Sequence, residues 1–60
     1  MDATKIAEYA RQLLDAHGDK AEAEAAQKAE GFASSGDTIQ AEHWRKIRAA
    51  ITEMRGPHSS

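Results

Sequence analysis

The apolar positions of the chain fall into three runs of helical period. Ile6, Tyr9, Ala10, Leu13, Leu14 and His17 recur at intervals of three and four, aligning one face of a helix from about Ala3 to His17. Lys5, Glu8, Arg11, Gln12 and Asp15 fall on its other face. A second run puts Ala21, Ala25, Ala29 and Phe32 on one face of a helix from about Lys20 to Ala33 or Ser34, with Ala26 and Ala33 at its margin. A third puts Ile39, His43, Trp44, Ile47, Ala50, Ile51 and Met54 on one face of a helix from about Thr38 to Arg55. Within it, Trp44, Ile47, Ile51 and Met54 follow the 3, 4, 3 spacing of a short heptad seam.

The punctuation between the runs agrees with this division. Gly18-Asp19 and Gly36-Asp37 each combine a residue that closes a helix with one that opens the next. Asp19 and Asp37 are read as N-caps, and Glu22 and Gln40, three residues later, complete capping boxes. Asp2 and Thr4 both offer a cap for the first helix. Gly56-Pro57 ends the third, because proline cannot continue it, and His58-Ser59-Ser60 reads as a disordered tail. Gly31 costs about 1 kcal/mol inside a helix relative to alanine, and marks either a close backbone contact or a frayed end. The predicted fold class is all-α, with three short helices packed as a small bundle or helical array over residues 1–57. An offset of 18 aligns Gly18 with Gly36, Asp19 with Asp37 and Lys28 with Lys46. It is read as two capped helices under the same constraints.

Composition limits what such a fold can do alone. Beyond Met1, the bulky apolar side chains are Ile6, Tyr9, Leu13, Leu14, Phe32, Ile39, Trp44, Ile47, Ile51 and Met54, and much of the remaining hydrophobic content is alanine. A chain of 60 residues buries only about 60% of its unfolded surface. Cysteine is absent, so no disulfide supports the core, and thiolate catalysis and thiolate metal sites are excluded. No apolar run is long enough to span a membrane and no secretory signal is visible, which predicts a cytoplasmic protein. With a net charge of −2, neither nucleic acid nor an anionic membrane is favoured as a partner.

Candidate chemistry is thin. His17, His43 and His58 lie on separate segments, none at the i, i+4 spacing that places two ligands on one helical face, so no metal is expected. Glu22 and Glu24 stand at i and i+2 and point to different sides of a helix. Ser34 and Ser35 have no base implied beside them, and no glycine-rich phosphate loop occurs. No catalytic residue and no cofactor is expected, and the chain is read as non-enzymatic. The third helix carries Arg45, Arg48 and Arg55 on one flank beside Trp44. Residues 37–60 nevertheless sum to +1, with Arg45, Lys46, Arg48 and Arg55 against Asp37, Glu42 and Glu53. That is a weak basic footprint for a nucleic-acid reader.

The stretch from Ala16 to Pro57 resembles small uncharacterised helical proteins of alphaproteobacteria. The residues that carry the resemblance are His17-Gly18-Asp19, the alanine-rich second helix, and Ala41-x-x-Trp44-x-x-Ile47 running on to Arg55-Gly56-Pro57. It implies a compact helical protein and supplies no catalytic or binding residue. The function expected from the sequence is protein–protein interaction or self-association. A dimer is expected, with Trp44, Ile47, Ile51 and Met54 at or near the interface, or else a helical protein partner. The alternative is a nucleic-acid-associated regulator using Arg45, Arg48 and Arg55.

Overall fold

The computed structural model of the chain describes residues 2–56. Its elements are α1 (Ala3–His17), α2 (Lys20–Ser34) and α3 (Thr38–Arg55), and no strand occurs among the described residues. The helices start and stop where the periodicity and punctuation place them. Pro57 and the expected disordered tail, His58-Ser59-Ser60, lie outside the described residues. Among the described residues no helix is long and apolar enough to cross a membrane.

Asp2 rather than Thr4 caps α1: its carboxylate accepts from the Lys5 N–H at 2.8 Å. At the second corner, the backbone of Asp37 finishes α2 while its side chain begins α3. The Gly36 N–H donates to the Ala33 carbonyl at 3.1 Å and the Asp37 N–H to the Phe32 carbonyl at 2.9 Å. This pair of bonds is a Schellman motif, with Gly36 supplying the positive φ of 86° that it requires. The Asp37 carboxylate then accepts from the Gln40 N–H at 3.1 Å. Its own N–H is already used by Phe32, so Gln40 has no reciprocal donor and the capping box is half formed.

The first corner is built differently, and it corrects the cap expected at Asp19. The Gly18 N–H closes α1 on the Leu14 carbonyl at 2.8 Å, and the Gly18 carbonyl accepts from the Ala21 N–H at 3.0 Å. One residue at φ 59° thus ends one helix and starts the next. Asp19 is already helical, at φ −61° and ψ −21°, and makes no side-chain cap bond. A cap needs an extended backbone for its side chain to fold back over the first turn, and this corner has no residue to spare for one. The expected consequence separates the two aspartates: Asp37→Ala costs about 1 kcal/mol, whereas Asp19→Ala costs only a few tenths. Thermal unfolding followed by circular dichroism checks it, and equal losses would contradict the difference between the corners.

The core is one cluster drawn from all three helices: Ile6 and Ala10 from α1, Ala21 and Ala25 from α2, and Ile47 and Ile51 from α3. Leu13, Leu14, Trp44 and Ala50 pack against it while keeping some surface. On α2 every buried side chain is alanine: Ala21, Ala25 and Ala29. A stripe of methyl groups leaves a shallow ridge, so α3 lies close along α2 and its isoleucines fill the space between. Several residues expected on buried faces are exposed: Tyr9, His17, Met54 and, at 68%, Ile39. Ile39 lies in the first turn of α3, ahead of Ala41, the first α3 residue to be buried. Gly31 neither touches another backbone nor frays: α2 continues past it to Ser34, and a Cβ added there meets nothing within 4 Å.

Candidate functional site

The short corner at Gly18 sets the site. α1 and α2 leave it in different directions, held at the vertex by His17 Nδ1 and Glu24 Oε1 at 3.2 Å. Farther along, α1 rests on α3, where the Tyr9 and Trp44 rings meet edge to face, 5.5 Å apart at 88°. That is the preferred contact between two aromatic quadrupoles. Contact between α1 and α2 is the least extensive of the three helix pairings, and an open groove of about 790 Å³ runs between them. Its floor is apolar, made by Leu13, Phe32, Tyr9 and Trp44; its rim carries His17, Glu24 and Lys28. Along α2 and its C-cap the wall runs from Glu24 to Ser35, a length of about 16 Å at 1.5 Å per residue. An apolar floor with a polar rim, three turns long, is the shape that receives an amphipathic helix.

The structure divides the residues expected at an interface between chains. Ile47 and Ile51, at 1% and 0% exposure, are inside this chain's own core. The seam spacing that suggested a second helix is satisfied within the chain, by the alanine stripe of α2. Trp44 is half-buried and forms part of the groove floor, while Met54 is exposed at 36%. Tyr9 and Leu13 belong to the apolar face of α1 and Phe32 to that of α2, and the structure gathers them around one opening. The sequence carried one sign of this: Phe32 is the only bulky apolar side chain on α2, and an alanine stripe cannot surround it.

The arginine flank is divided too. Arg55 reaches across to the start of α2, where Nη1 donates to Glu22 at 2.9 Å and Nη2 to Asp19 at 3.3 Å. Arg45 and Arg48 instead border a small cleft with Glu30, Ala26 and Ala29. Carboxylates therefore interrupt the flank, Glu22 and Asp19 at Arg55 and Glu30 beside Arg45 and Arg48. Asp19, not a cap, is an outlying partner of Arg55.

Glu22 is the centre of this clasp between α2 and α3. The Thr52 hydroxyl donates to its Oε2. The Arg48 carbonyl also lies near that hydroxyl, at 3.1 Å, but one proton serves one acceptor, and the closer, charged one takes it. The Thr52 bond lowers the Glu22 pKa below its ordinary value of 4.5, helped by Arg55 and Arg48 against an opposing desolvation. A lowered folded-state pKa gives stability that is complete above the unfolded value and lost as pH falls through the folded one. Acidification below pH 4.5 is thus expected to lower the melting temperature more in the wild type than in Glu22→Gln. Parallel acid titrations of the two would contradict the clasp.

Among the described residues no group of three or more His, Asp or Glu side chains is placed to hold a metal ion. His17 is engaged with Glu24, His43 is partly buried on α3, and His58 lies outside the described residues. No protein-family model, curated protein or solved structure matches the chain. The class that fold and site define is a small three-helix protein with an open, aromatic-floored groove.

Proposed function

We propose that this chain is a non-enzymatic protein-interaction module that works by self-association, with the groove between α1 and α2 as the contact surface. The observation that carries the reading is the groove floor, where Tyr9, Leu13, Phe32 and Trp44 from all three helices present apolar surface together. Aromatic side chains in a concave site are the usual anchors of protein interfaces. A core of six buried residues, three of them alanine, leaves a chain this short marginally stable, and covering the groove adds apolar burial without adding chain. A closed pair of identical chains is the commonest way to achieve that. The reading includes a cytoplasmic setting, supported by the cysteine-free composition, and kinship with the alphaproteobacterial helical proteins that the chain resembles. Nucleic acid is not proposed as the partner, because Arg55 is engaged by carboxylates and Glu30 stands beside Arg45 and Arg48.

Light scattering over a hundredfold dilution tests this, alongside the emission of Trp44, the chain's one tryptophan. The expected result is a dimer that dissociates on dilution with a red shift of the Trp44 emission. Phe32→Asp abolishes the dimer, while Ile39→Asp, at an apolar but exposed position away from the groove, leaves it intact. A monomer at every concentration, or a dimer broken by Ile39→Asp and not by Phe32→Asp, would overturn the reading.

A further inference from the structure

The groove wall of α2 carries its charges in an order that matches its own reverse. Glu24 and Lys28 both face the groove, one turn apart. Lys28 has no carboxylate within ion-pair distance among the described residues, although Glu24 is its neighbour in the helix. Resting on the self-association reading, we propose that the groove's occupant is a second copy of this chain, related by a two-fold axis. The axis crosses α2 at the level of residue 26, so that Glu24 of each copy, whose Oε1 meets His17 in its own chain, pairs through Oε2 with Lys28 of the other.

Two-fold symmetry forces this register once the charges are to meet. In an antiparallel pair of identical helices, a residue a given distance before the axis faces one the same distance after it, and both pairs form or neither does. Gln27, also on the groove wall, then lies within one residue of the axis, close to its own counterpart. A side chain that meets its own copy must be compatible with itself, and an amide is both donor and acceptor. In the same register Phe32, six residues beyond the axis, lies opposite Lys20 of the other copy, so the methylene stem of that lysine covers the ring while the charges fix the alignment.

Charge reversal reads the register directly. Glu24→Lys alone sets an introduced ammonium against Lys28 at both symmetric contacts, and Lys28→Glu alone sets two carboxylates together. Each is expected to raise the dimer dissociation constant about tenfold, as two exposed pairs turn from attractive to repulsive. The double reversal restores the wild-type dimer. The sharpest result comes from mixing the two single variants: every contact between them is attractive, so native mass spectrometry should find the heterodimer well above its statistical share. Circular dichroism confirms that each variant is folded. Should either fail to fold, the wild-type dimer decides alone, by weakening as salt is raised.

The outcomes are distinct. A wild-type dimer with statistical mixing of the two variants, or without salt dependence where that measurement decides, overturns the register and leaves self-association standing. A wild type that is monomeric throughout overturns both. A dimer unaffected by any of the reversals places the contact elsewhere and overturns the proposal.

Discussion

Ile51→Ala is expected to lower stability by about 2–5 kcal/mol, most of what a domain of this size possesses. Ile51 is fully buried and, with Ile47, supplies the largest completely enclosed side chains of the structure. Its surroundings in the core are Ala10, Ala21, Ala25, Ile6 and Ile47, and an alanine cannot extend to fill a void. The loss therefore includes a cavity contribution as well as the lost transfer from water. Urea unfolding followed by circular dichroism measures it. A loss below about 1 kcal/mol would show that the helices close over the gap, and that the alanine-lined contact is softer than its geometry indicates.

Ala25→Leu attacks the same contact from the opposite side. Ala25 has no exposed surface and faces α3 within the core cluster. Adding bulk there forces α2 and α3 apart or drives side chains from their rotamers, at a cost of about 1–3 kcal/mol, even though leucine is a good helix former. The direction matters: on an exposed helical face the same replacement is nearly neutral. The combination Ala25→Leu with Ile51→Ala returns volume to the cluster, so its cost is expected to fall short of the sum of the single costs. Strict additivity would place the two side chains out of contact.

Much of this architecture was legible in the order of the residues. The intervals between Ile6 and His17, and between Ile39 and Met54, mark helices because the backbone repeats every 3.6 residues. The alanine stripe of α2 was legible for the same reason. What stayed hidden depends on angles between helices, which periodicity does not carry. The faces holding Tyr9, Leu13 and Phe32 were identifiable, yet nothing in their spacing says that α1 and α2 diverge and leave them around a groove. The reading of Ile47 and Ile51 as an interface failed in the same way: a seam is visible in one helix, while its partner, in this chain or another, is not. Asp19 misled because its residue type fits a cap and its backbone does not. That backbone is dictated by Gly18, which ends α1 and begins α2 in a single step.

The contrast between the two corners has a mechanical consequence. α2 and α3 are fastened at both ends, by the hydrogen bonds through Asp37 at one and by Arg55 and Thr52 on Glu22 at the other. α1 is covalently joined only through the Gly18 corner, and Gly18 has open space where a side chain would be. α2 and α3 form a frame and α1 an arm seated on it by Ile6 and Ala10, which lie in the shared core. The Tyr9–Trp44 contact latches that arm at the far side, 5.5 Å between ring centres. The opening is thus bounded by an ion pair near the corner and an aromatic contact at the far side, with the buried Ile6 and Ala10 holding the arm in the core behind it.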